Sequence, residues 1–143
     1  MKKIRSSKKG FTLAELLIVV AIIGVLVGIS IPIFSAQLEK SREATDVANL
    51  RAAKAAVTAA WLDGSIVADD DGNYAPIYYN ADEGKLDSSV PAVKYGQGTD
   101  VAGNTATNWK YGDYTASTVA KDKVIKITVS VTNGEPKFTY AWA

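Results

Sequence analysis

Residues 16–38 carry no Asp, Glu, Lys or Arg, and this charge-free run of 23 residues constrains the chain more than any other feature. A single acid, Glu15, stands at its entrance, and five cations, Lys2, Lys3, Arg5, Lys8 and Lys9, precede it. About 20 apolar residues of helix cross the hydrocarbon core of a bilayer. The run is long enough to span a membrane, and too long for an ordinary secretory signal core of about 7–15 residues. Cations flanking a spanning segment stay on the cytoplasmic side, so the remainder of the chain is expected outside.

Residues 11–62 read as one long helix in two regimes. The first is apolar all round, as a helix in lipid or in a bundle core must be. Pro32 interrupts it, having no N–H and clashing with the preceding turn, so the helix is expected to kink or loosen near residues 28–32. Gly24 and Gly28 form a small-xxx-small spacing that lets helices approach closely, although Gly is also simply common in spanning helices. The second regime, residues 39–62, is amphipathic and Ala-rich. Val47, Leu50, Val57 and Trp61 fall within one third of its circumference and should pack beneath a sheet. Lys54 falls inside that stripe, read as a snorkelling stem at the edge of the core. Arg42 and Asp46 are spaced to pair at i,i+4, and Asp63-Gly64 supplies the stop.

Downstream, residues 64–121 are rich in turn formers, with short strands expected around 75–79 and 109–114. The last stretch is periodic. Ile125, Ile127, Val129 and Val131 alternate with Lys126, Thr128 and Ser130, and Asn133-Gly134 is a hairpin turn signal. Phe138, Tyr140 and Trp142 then share one face of residues 137–142. Period two on both sides of that turn argues for an antiparallel hairpin with one buried face.

Lys8-Lys9-Gly10, followed by Phe11-Thr12-Leu13-Ala14-Glu15 and the apolar run, resembles the leader junction of type IV pilins. The same junction occurs in the pseudopilins of type II secretion and DNA-uptake machines. The resemblance is strong over residues 8–38, and Ala14 replaces a bulkier aliphatic often found there. It implies that a membrane-embedded prepilin peptidase cuts between Gly10 and Phe11 and methylates the new Phe11 amine. It also implies that Glu15 then acts in filament assembly by meeting the Phe11 amine of a neighbouring subunit. A carboxylate inside a bilayer costs at least ~2.5 kcal/mol and usually marks function. The alternative is a Glu15 held at the membrane surface by its own helix N-terminus.

The expected fold is therefore α+β and pilin-like: a long N-terminal helix packed in its second half against a small C-terminal antiparallel sheet. Residues 1–10 are the leader, 11–38 the membrane-spanning and filament-core half of the helix, and 39–143 the globular domain. Without the leader the charge changes from the whole-chain +1 to −4, with 11 basic against 15 acidic residues. No strongly basic nucleic-acid footprint results. The chain has no Cys, which departs from the many Gram-negative pilins that close a C-terminal loop with a disulfide.

The implied partners are the prepilin peptidase, identical or homologous subunits, an assembly platform with its ATPase, and the lipid bilayer before assembly. Nucleic acid joins them only if the filament takes up DNA. No cofactor and no enzymatic role are expected, since the absence of His and Cys removes Ser-His-Asp and Cys-His catalysis. Asp69, Asp71 and Asn73 resemble the opening of a calcium loop, but its twelfth position is Asn80 rather than a bidentate Glu. They read as a solvated acidic turn, with calcium binding as the alternative. Gly96-Gln97-Gly98 and Gly103 have neither the strand-then-helix context nor the Lys of a phosphate cradle. The rival functions are a pseudopilin of a secretion or uptake machine, and a membrane-tethered enzyme or binding domain.

Overall fold

The computed structural model describes residues 9–98, 110–111, 114–115 and 119–143. Lys2, Lys3, Arg5, Lys8, Gly103 and Trp109 lie outside the described residues. The chain divides into two compact units, Met1–Ser35 and Ala36–Ala143. A single helix, α1 (Leu13–Leu62), contributes residues to both.

In the first unit the helical surface is apolar and open. Leu16, Ile18, Val20, Ile23, Leu26, Ile29, Ile33 and Phe34 are each more than half exposed. A monomeric protein in water rarely leaves such a patch larger than a few hundred Å², so this helix is built for lipid or for neighbouring helices. Its polar groups turn inward. The Ser30 hydroxyl donates to the Leu26 carbonyl at 2.7 Å, and that of Ser35 to Ile31 at 3.0 Å. The helix continues through Pro32, whose missing N–H leaves the i−4 carbonyl of Gly28 without its usual donor.

In the second unit α1 buries Glu39, Glu43, Asp46, Leu50, Ala53 and Val57, alternating steps of four and three residues along one face. The helix stops in a Schellman arrangement: Ser65 N–H reaches the Ala60 carbonyl at 2.9 Å, and Gly64 N–H that of Trp61 at 3.2 Å. Gly64 meets the left-handed requirement at φ 78°.

Four strands form an antiparallel sheet in the order β2-β1-β5-β6, from β1 (Ile77–Asn80), β2 (Lys85–Asp87), β5 (Ile125–Thr132) and β6 (Glu135–Trp142). Two further strands, β3 (Lys110–Tyr111) and β4 (Tyr114–Thr115), pair with each other. The β5–β6 hairpin pairs Thr132 with Glu135 across Asn133-Gly134, and both turn residues have positive φ (55° and 83°). That is the twist-matched two-residue turn the dipeptide predicts. Ile125, Ile127 and Val129 are buried opposite Trp142, Tyr140 and Phe138 respectively. Together with Leu50, Ala53 and Val57 of the helix, Tyr79 of β1 and Ala120, the Ile125, Ile127 and Trp142 side chains form the core. The α+β arrangement expected from the sequence is present, with the second half of the helix under the sheet.

Several details differ from expectation. Thr12 caps the helix, so it begins at Leu13 rather than Phe11. The first short strand lies two residues further on than 75–79 at its start, because Ile77 and Tyr78 pair with Ile127 and Lys126 of β5. Strand β2 was not anticipated, since Leu86 is its sole apolar residue and its pairing is carried by backbone and by Asn80 Nδ2 donating to Asp87 at 2.9 Å. Val131 is exposed near the turn, where the hairpin runs past the helix-covered part of the sheet. Lys54 is exposed rather than within the buried stripe, which passes through Ala53 instead. Trp61 is half-buried, with its ring 5.7 Å from Tyr74 and 6.2 Å from Phe138.

Candidate functional site

Gly10 and Phe11 precede the first turn of α1, belong to no secondary-structure element and are exposed. The side chains of Thr12 and Glu15 then close a capping box. Thr12 N–H donates to Glu15 Oε2 at 2.9 Å, and Glu15 N–H donates to Thr12 Oγ1 at 3.2 Å. Such a box satisfies two of the N–H groups that a helix start leaves unpaired. Phe11 and Glu15 line one shallow depression with Leu16, Ile18 and Val19. The carboxylate thus lies at the helix N-terminus, beside the junction and at the edge of the apolar surface. Thr12 was readable as its partner from the T-x-x-E spacing, a signal the sequence reading left unused.

In the second unit three carboxylates lie on the buried face of α1, where an amphipathic pattern would place apolar side chains. Glu39 is 1% exposed, Asp46 2% and Glu43 8%. Asp46 explains its own position. Its two oxygens accept the backbone N–H groups of Gln97 (2.9 Å) and Gly98 (2.7 Å). The Gly96-Gln97-Gly98 stretch is a cradle after all, for a carboxylate of this chain. Gly98 is needed there because a Cβ would come within 2.8 Å of Asp46 Oδ2. The expected Arg42–Asp46 pair does not form. Both Asp46 oxygens are committed to the loop, and Arg42 turns to Glu39 at 3.4 Å.

Burial raises the pKa of Asp46 above its ordinary value and Glu39 adds to the rise, while the two amide donors hold it down. The folded chain therefore keeps this proton to higher pH than the unfolded chain. Stability linked to Asp46 is complete below the unfolded value of 3.8 and declines as pH rises through the raised folded value. Asp46→Ala should lose about 2 kcal/mol at neutral pH by leaving the Gln97 and Gly98 amides without their acceptor. Asp46→Asn should flatten the dependence of melting temperature on pH through the acidic range. Thermal melts across that range check both.

Asp69 Oδ1 accepts the N–H groups of Asp71 (3.1 Å) and Asn73 (2.7 Å), and Gly72 takes φ 80°. Asp69 is thus the organiser of an Asx-type turn. Among the described residues no group of three acids, His or Cys is arranged to hold a metal ion.

The family model of the prokaryotic N-terminal methylation motif matches residues 5–31. Fimbrial protein Q of Moraxella bovis is 46% identical over 59 residues, 41% of this chain and 38% of that protein. This chain thus spans well under half the length of that relative. A fimbrial protein of Dichelobacter nodosus is 32% identical over 128 residues, 86% of this chain and 76% of the relative. The type IV major fimbrial protein FimA of the same organism is 32% identical over 114 residues, 66% and 71% of the two chains. No solved structure matches the chain.

Proposed function

Because this chain belongs to the type IV pilins, we propose that it is a structural subunit that polymerises into a surface filament. The observation that carries this reading is the open apolar surface of residues 16–38, directly behind an exposed Gly10–Phe11 junction and led by one acid, Glu15. In the membrane that surface faces lipid, with the basic leader inside and the globular unit outside. Prepilin peptidase removes residues 1–10 and methylates the Phe11 amine. An assembly platform and its ATPase then draw the subunit from the bilayer into the fibre.

Extraction exchanges lipid for protein contacts, so dehydration alone gives little drive. Helix packing supplies it, aided by Gly24 and Gly28, whose Cβ positions are open. Pairing of Glu15 with the Phe11 amine of a neighbour neutralises both charges inside the apolar core. Pro32 is the place where the helix loosens as it packs. Relatives named as fimbrial proteins favour a long pilus over the short filament of a secretion or DNA-uptake pseudopilin.

Intact-mass analysis of protein from its native host tests the reading. The mature chain should begin at Phe11 and carry one methyl group. A retained leader, or a start elsewhere, would overturn it.

A further inference from the structure

Two surfaces of opposite charge stand apart on the globular unit. One is a polar cleft of about 470 Å³ whose cations are Arg42, Lys94 and Lys121, with Asp122 the one acid in its lining. Its wall includes Gly96 and Gln97, held in place by the Asp46 cradle and by the Lys123 carbonyl, which accepts the Gly96 N–H at 3.0 Å. Lys94 and Lys121 are exposed. Among the described residues neither is paired with a carboxylate. The other surface is the turn at residues 69–73. Asp69 is occupied in shaping it, which leaves Asp70 and Asp71 as exposed carboxylates on a fixed loop.

The two surfaces are separated along the helix. The cleft is lined from α1 by Arg42 and Asn49, whereas the turn leads to Tyr74, whose ring packs on Trp61. At 1.5 Å per residue those helical positions differ by about 18–29 Å along the axis. In copies stacked in parallel and staggered by that distance, one copy's patch meets the next copy's complement, a head-to-tail contact that repeats into an open helical polymer.

We propose that the cleft at Arg42, Lys94 and Lys121 receives the acidic turn, Asp70 and Asp71, of a second copy of this chain. The contact rests on the filament reading above and assigns its outer layer: helices pack in the core while one subunit's turn sits in the next subunit's cleft. Being exposed, the contact directs register and partner choice more than it supplies affinity.

The chain has no Cys, so an engineered pair reports the contact without background. The full chain carrying Asp70→Cys and Lys94→Cys should give, from oxidised sheared filaments, a ladder of covalent multimers that collapses to monomer on reduction. Reversing charge with Lys94→Glu and Lys121→Glu should lower filament yield at least about five-fold at unchanged membrane level. Adding Asp70→Lys and Asp71→Lys to that chain should restore it. Abundant filaments without a ladder, or charge-reversed chains that assemble normally, overturn the contact alone. Absence of any filament from the unsubstituted chain overturns the filament reading and the contact with it.

Discussion

Glu15→Ala is expected to leave the chain in the membrane and to remove it from filaments. Insertion is secured by residues 16–38, and taking a carboxylate from their border makes it easier. Under the proposed pairing, assembly would lose the counter-charge of the Phe11 amine, and an ion left alone in an apolar interior costs about 3–5 kcal/mol. Repeated at every subunit, that loss should lower sheared filament protein by at least about a hundred-fold. The capping box supplies the control. Glu15 also accepts the Thr12 N–H, so Ala removes a helix cap together with a charge. Gln retains the cap and removes only the charge. Glu15→Gln should therefore fail to assemble nearly as completely as Glu15→Ala. Recovery of filaments in Glu15→Gln would assign the role to the cap, and normal assembly of Glu15→Ala would show the side chain dispensable.

Trp142→Ala is expected to cost about 3–5 kcal/mol in the globular unit. Its ring is 6% exposed and lies edge-on to Tyr95 at 6.0 Å, opposite Ile125 on the neighbouring strand. Reciprocal 2.9 Å backbone bonds between Val124 and Ala143 hold the strand beside it. The loop that builds the Asp46 cradle also depends on the ring, since Gly96 lies close enough that a Cβ would come within 3.0 Å of it. In a protein beginning at Ala36, a loss of that size should lower the melting temperature by more than about 12 °C. An unchanged melt would mean that the last strand is not part of the core.

The elements that were legible share one property: their pattern is local. Asn133-Gly134 and the alternating residues beside it specify a hairpin without reference to anything distant. The charge-free run and Asp63-Gly64 likewise set the extent of α1, with Thr12 moving its start by two residues. What stayed hidden depends on partners far along the chain. Asp46 and Gly98 are 52 positions apart, and nothing near Asp46 says that two amides will come to it. The sequence therefore paired it with the nearest cation, Arg42. Strand β2 escaped for a related reason, since three residues borrow their geometry from β1 rather than from any periodicity of their own. The methylation motif was legible because its residues, 5–31, are contiguous in the chain.

The inward-turned hydroxyls of Ser30 and Ser35 bear on the reversibility of the fibre. Each is satisfied by a carbonyl of its own helix, so neither needs to find a new donor or acceptor when the surroundings change. Lipid tails and neighbouring aliphatic side chains are then nearly equivalent solvents for this segment. On the proposed function, a subunit would pass from the membrane reservoir to the fibre and back without breaking these side-chain hydrogen bonds. Growth and disassembly would then run on a shallow energetic slope, and their direction would be set by the charged ends of the molecule and by the machine that pulls on it.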